Sequence, residues 1–217
     1  MKLNFYKLML AAALMLLLFS RLSHGGDFAH LHTTDTHIFY SYTGTVYTGD
    51  SEKLERLVAE SDLEVVVIID SPGGAAYEGI ELYWAAKRLE IRTIAGTKFG
   101  AYSAAALFWM GGSGDLIEGS LAGFHLAYCN PYNPPGCYVA DIDSKMMKCF
   151  YDKFGRARSH EMFGLMLQAL DKFGVNGFVM FKMTSGKLVV AVEDPTTYVD
   201  SFPTVPPASL KPEEICD

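Results

Sequence analysis

Val65-Val66-Val67-Ile68-Ile69-Asp70-Ser71-Pro72-Gly73-Gly74 decides the fold of this chain. Five β-branched apolar residues in a row leave no polar face, so the run reads as a strand covered on both sides. Pro72 and the two glycines end it, since proline lacks an N–H and glycine admits positive φ. Upstream, Ile38–Tyr47 reads as a strand or bent hairpin around Gly44, with a break after it at Gly49-Asp50. Asp50 or Ser51 then caps a helix with Leu54, Leu57 and Val58 on its apolar face. Downstream, Leu82, Ala85, Ala86 and Leu89 recur at helical spacing, Thr93–Ala95 is short and β-like, and residues 96–100 break the chain. Strand, helix and buried strand in that order specify an α/β layer fold.

Further along, Ala101–Met110 reads as a very apolar helix starting at or near Ser103 and stopped by Gly111-Gly112-Ser113-Gly114. Leu121–Tyr128 is a strand candidate carrying His125. Asp141–Tyr151 is helical in pattern, and Ser159 can cap a helix presenting Phe163, Met166, Leu167 and Leu170. Lys187–Val192 is a late strand. With 217 residues, half of them apolar, the chain suits one compact domain over residues 38–193. Residues 26–37 read as a solvated N-terminal arm, and 194–217, with Pro195, Pro203, Pro206, Pro207 and Pro212, as an extended or disordered tail.

Lys2 and Lys7 precede an apolar run from Leu8 to Phe19, and small polar residues come next. Twelve apolar residues are short of the roughly 20 that span a bilayer, so residues 1–25 read as a signal peptide cut near Gly25, with Ser23 and Gly25 as the small processing residues. The expectation is an exported protein, periplasmic or secreted, without a stable membrane span after cleavage. Loss of Lys2, Lys7 and Arg21 would take the formal charge from −7 to −10. An acidic body without a basic run argues against nucleic acid or anionic membranes as partners.

Cys129, Cys137, Cys149 and Cys216 make an even count, compatible with disulfides in an exported chain. Cys129 and Cys137 bracket Asn130–Gly136, a turn-rich stretch able to bring them together, and a local disulfide there is the leading reading. Cys149 with Cys216 would complete the pairing, though connectivity is not a sequence property. The cysteine spacing matches no zinc ribbon. His30, His32 and His37 beside Asp35 read as solvated residues rather than a metal site, so no metal and no cofactor are expected.

Acyl-transfer chemistry needs an exposed nucleophile, a base and preorganised N–H donors. Gly73-Gly74 can expose backbone amides, or be a plain strand-to-helix turn. Ser103, in Gly100-Ala101-Tyr102-Ser103-Ala104-Ala105-Ala106, has small neighbours and a helix start beside it; its bland reading is tight helix packing. His125, in Gly123-Phe124-His125-Leu126, is a base candidate or a satisfied core residue.

Together Asp70-Ser71-Pro72-Gly73-Gly74, Gly100-Ala101-Tyr102-Ser103-Ala104 and Gly123-Phe124-His125 resemble the ClpP/crotonase superfamily, and more particularly its exported ClpP-like, signal-peptide-peptidase-like serine peptidases. Ser103 comes 29 positions after Gly74, as in the ClpP-like register, and His125 comes 22 after Ser103, slightly fewer than in that register. The resemblance covers about residues 38–128. It implies a spiral of ββα repeats, Ser103 as nucleophile, His125 as base, and Gly74 and Ala104 as oxyanion-hole donors. A peptide or protein substrate and a homo-oligomer are implied as well.

The chain departs from that pattern at the third catalytic residue, an Asp late in the chain. Here Thr184-Ser185-Gly186-Lys187-Leu188 holds no carboxylate, which leaves Asp141, Asp143 and Asp171 as substitutes and the orienter unknown. Tyr102 replaces a usual Ala and is expected to narrow access. Two other readings compete with the peptidase: a catalytically inactive ClpP-like binding or assembly protein, favoured by the missing carboxylate, and a crotonase-like acyl-thioester enzyme, disfavoured by export.

Overall fold

A computed structural model describes residues 25–127 and 139–195. Its elements run β1 (Asp27–Thr33), β2 (His37–Val46), α1 (Asp50–Ala59), β3 (Glu64–Gly74), α2 (Ala76–Arg88), β4 (Arg92–Ala95), β5 (Ala101–Tyr102), α3 (Ala104–Gly111) and β6 (Leu121–Phe124). They continue with α4 (Val139–Phe154), α5 (Arg156–Phe173), a 3₁₀ turn (Gly174–Asn176), β7 (Phe178–Thr184) and β8 (Lys187–Glu193). The fold is α/β, with a mixed eight-stranded sheet ordered β1-β2-β3-β5-β6-β7-β8 and β4 paired with β3.

The β3 run is buried as its composition requires: Val65, Val66, Val67 and Ile69 are at most 3% exposed. Each such side chain contributes roughly 1.5–3 kcal/mol of burial free energy. β3 pairs in parallel with β2 along its length, with β4 through Val66–Ile69, and with β5 through Ser71 alone. The sheet therefore splits at Asp70, where β4 leaves and β5 takes over. Asp70 holds that switch, its Oδ1 accepting the N–H groups of Phe99 and Gly100, both at 2.9 Å. A side chain at Gly96 would strike this carboxylate at 2.1 Å, so the loop closes on it only with glycine there.

The helix α3 is buried all round, from Ala104 to Gly111. α2 lies across it at Gly79, where a Cβ would meet Ala104 at 2.7 Å, and at Tyr83, whose backbone touches Gly111. These two glycines let the helices approach closely and fix the start of α3 against the end of β3.

Several boundaries differ from the sequence expectations. Residues 26–37 are not a free arm: β1 pairs antiparallel with β2, because His37–Val46 offers an open edge once β3 has taken its other side. β2 is one strand with an irregularity at Gly44, not a hairpin. α1 starts after Gly49, and Asp50 turns inward instead of capping. Ser159 lies inside α5, its hydroxyl donating to the Gly155 carbonyl at 2.7 Å. β7, unassigned by pattern, is the antiparallel partner of β6. Ser185 and Gly186, both at positive φ, form the two-residue turn into β8. Cys149 is a fully buried free thiol in α4. The disulfide expected between Cys129 and Cys137, the signal peptide, Cys216 and the tail beyond residue 195 lie outside the described residues.

Candidate active site

β5 is only two residues long and gives way at once to a sharp strand-to-helix turn. Ser103 occupies that turn at φ 55° and ψ −123°, a region that costs a non-glycine residue roughly 1–3 kcal/mol. The surroundings hold it there from both sides. Its N–H donates to the Gly123 carbonyl at 2.9 Å, and its own carbonyl accepts from Ala106 and Leu107 at 3.0 and 3.3 Å. Gly73 presses on the same turn: a Cβ there would stand 2.5 Å from the Tyr102 carbonyl and 2.6 Å from Cβ of Ser103.

Ser103 is the N-cap residue of α3, yet its hydroxyl does not cap the helix. It lies 2.6 Å from Nε2 of His125 instead. His125 sits one residue past β6 rather than within a strand as expected, so its ring leaves the sheet and meets the turn. Parallel pairing of Ala101 with Ala122 and Tyr102 with Gly123 sets the two residues side by side.

The other ring nitrogen, Nδ1, stands 2.7 Å from the Leu126 carbonyl. A carbonyl only accepts, so Nδ1 carries the hydrogen and Nε2 of the neutral ring presents a lone pair to the serine O–H. The backbone thereby sets the tautomer that a proton acceptor needs. Burial pulls the imidazole down to about 4, opposed by the Leu126 carbonyl, so the ring is neutral at pH 7. The Phe178 ring packs against His125 at 4.6 Å between centroids and limits its rotation.

The residues expected as oxyanion-hole donors are Ala104 and Gly74. Ala104 is the first residue of α3, where N–H groups lack an acceptor within the helix. Gly74, at φ 150°, lies against Thr45 and Val46, while the N–H of Gly73 donates to the Ser71 hydroxyl at 3.2 Å. Ser71 is fully buried and donates in turn to the Gly44 carbonyl at 2.6 Å, tying the end of β3 to β2.

Tyr102 does not crowd the serine. Its side chain is fully buried in a small cluster with Phe178 and Met180, the opposite direction from Ser103, as alternation along β5 dictates. Of the acidic residues, Asp141 takes the Tyr77 hydroxyl at 2.8 Å and Lys145 at 2.9 Å, and Asp171 is exposed on α5. Asp143 accepts the Ala127 N–H at 3.1 Å and so braces the segment carrying His125. The 184–188 stretch is the β7–β8 turn, held by Glu118 at the opposite end of β6 from His125. At the His125 end the hairpin brings Glu193, opposite Phe178, and then Asp194; Glu193 pairs with Lys182. Nothing in local sequence pattern marks the Leu126 carbonyl, because a backbone acceptor has no residue signature.

His30 contacts the Thr33 hydroxyl at 2.8 Å, and His37 lies 3.2 Å from Glu64. Among the described residues no group of three or more His, Cys, Asp or Glu side chains is placed to hold a metal ion. No helix among them is long and apolar enough to cross a membrane.

No protein-family model and no curated protein sequence matches the chain. Solved structures do. The ClpP protease catalytic domain from Plasmodium falciparum is similar at 14% identity and a TM-score of 0.47, over 62% of this chain and 74% of that one. ClpP1 from Listeria monocytogenes is similar at 12% identity and 0.45, over 65% and 81%. A membrane-bound stomatin-specific protease is similar at 13% identity and 0.41, over 56% and 63%.

Proposed function

We propose that the chain is an exported serine peptidase of ClpP-like type, acting on peptide or protein substrates through an acyl-enzyme on Ser103. The observation that carries this reading is the Ser103–His125 contact of 2.6 Å on a strained strand-to-helix turn. Strain in a residue whose hydroxyl is aimed at a neutral imidazole is a cost that catalysis would explain and packing would not.

In the first step Oγ of Ser103 forms a bond to the scissile carbonyl carbon, its proton passes to Nε2 of His125, and the carbonyl π pair moves to oxygen. The N–H groups of Gly74 and Ala104 are the donors assigned to that oxyanion. Collapse breaks the C–N bond, and His125 returns the proton to the leaving amine. Water then gives a proton to His125 and attacks the ester, and the serine is released with its proton restored. The Leu126 carbonyl keeps Nδ1–H in place through both half-reactions.

The test is labelling of folded protein by a fluorophosphonate probe. Covalent labelling of Ser103, lost in Ser103→Ala, is the expected result. A folded, processed protein that takes up no probe would sink the reading and favour an inactive binding protein of the same fold.

A further inference from the structure

Asp50 is a fully buried carboxylate that takes no part in the Ser103–His125 contact, and its partners are unusual. Its Oδ2 accepts the Tyr42 hydroxyl at 2.8 Å, the Tyr47 N–H at 2.8 Å and the Gly26 N–H at 3.0 Å. Its Oδ1 takes Lys53 at 2.7 Å, a side chain 43% exposed against 0% for Asp50. Glu78, 6% exposed on α2, accepts the neighbouring Ser51 N–H at 2.6 Å and adds a second buried carboxylate beside the first. Among the described residues Lys53 pairs with Asp50 and no ion pair reaches Glu78, so the two acids are one formal positive charge short of balance.

Gly26 is buried at this spot and fits only as glycine, since a Cβ would stand 2.1 Å from the Tyr42 ring. A Cβ on Gly25 would stand 2.8 Å from Oδ1 of Asp50. Gly25 is also the small residue at which the leader is expected to be cut. We propose that Asp50 is the seat of a new α-ammonium group, formed when a leader peptidase of the exporting cell hydrolyses the Gly25–Gly26 bond. The cut adds one water, leaving a carboxylate on Gly25 and an ammonium on Gly26. The Gly26 nitrogen, already within hydrogen-bond distance of Oδ2, then becomes the missing cation. A hydrogen bond from a neutral amide to the carboxylate is replaced by an ion pair in which donor and acceptor are both charged. Processing thus strengthens the hold of Asp50 on β1, which the uncut chain makes through the Gly26 amide alone.

The pairing raises the α-amine above its unfolded value of about 8, so its stabilisation is complete below that pH and lost as pH rises through the higher folded value. Lys53 from α1 and Tyr42 from β2 face the same carboxylate, and Glu78 from α2 takes the N–H of the adjacent Ser51. Burial and Asp50 push the Tyr42 hydroxyl upward, out of this window.

This inference rests on the export reading, and one experiment separates the two. The full chain is expressed in an exporting bacterial host, and the product's N-terminus is read by mass spectrometry. Folded product is then treated with an amine-acetylating reagent, with Asp50→Asn in parallel. Expected are a chain beginning at Gly26, acetylation of that amine roughly tenfold or more slower than surface lysines, and loss of the protection in Asp50→Asn. The wild-type unfolding midpoint should also fall by roughly 2–4 °C as the amine titrates. A chain cut elsewhere, or a Gly26 amine acetylated as fast as the lysines, overturns the seat while leaving export standing. A chain that stays in the cell and keeps its leader overturns both. Should Asp50→Asn fail to fold, the wild-type acetylation rate and pH dependence decide by themselves.

Discussion

His125 stands between two oxygens, with Nε2 2.6 Å from Oγ of Ser103 and Nδ1 2.7 Å from the carbonyl of Leu126. The Leu126 carbonyl accepts from Nδ1 and so leaves the Nε2 lone pair to the serine hydroxyl.

Replacing Ser103 separates strain from chemistry. Both Ser103→Ala and Ser103→Gly should lose all fluorophosphonate labelling. At φ 55° alanine keeps the strain and glycine relieves it, so the glycine variant should be more stable by about 1–2 kcal/mol in denaturant titrations. Equal stability of the two would show that the turn is not strained in solution.

Protonation of His125 sets an acid limit. With its folded value lowered to about 4, the ring is a competent base above about pH 5, and the labelling rate should fall off near pH 4. The same group contributes stability that is present above its unfolded value of about 6.5 and lost as pH falls through its folded value. Unfolding midpoints taken from pH 7 to pH 4 should decline less steeply in His125→Gln than in wild type.

Gly73 is predicted to be intolerant of any side chain. Gly73→Ala sets a methyl 2.5 Å from the Tyr102 carbonyl at φ 91°, so the Ser103 turn must move or the fold must weaken. A destabilisation of roughly 1–3 kcal/mol with loss of labelling is expected. Calorimetry and probe uptake measure the two separately.

Asp70 acts at one remove. Asp70→Ala frees two N–H groups of the loop that delivers β5, at a cost of about 1.5–3 kcal/mol. The labelling rate should drop while the probe still reacts at Ser103, as peptide mapping would report; unchanged labelling kinetics would deny the loop a positioning role.

The Cys149 thiol is pushed up to about 12 by burial. It should resist aqueous thiol reagents in native protein and react once denaturant is added, as read by peptide mapping of the modified cysteine. Modification at native-state rates comparable to a free thiol would place Cys149 at the surface.

The order of chemistry was legible in the chain. An all-apolar run closed by Pro72-Gly73-Gly74 reads as a buried strand ending in a turn, and small residues around Ser103 read as open access or as tight helix packing. Local composition determines such things because β-branched packing, the missing N–H of proline and the missing Cβ of glycine act within a few residues. Edge strands were less legible. β1 became a strand because β2 had a free edge, and β7 because β6 needed a partner, and neither need is written in its own residues. The group that holds the imidazole tautomer was beyond the sequence altogether. Register puts Thr184–Leu188 at the far end of β6 from His125, and the tautomer is held by a carbonyl that every residue possesses. Residue types thus determined which groups could react, whereas strand pairing alone decided that Ser103 and His125 meet, because a contact across 22 positions depends on how the sheet is assembled.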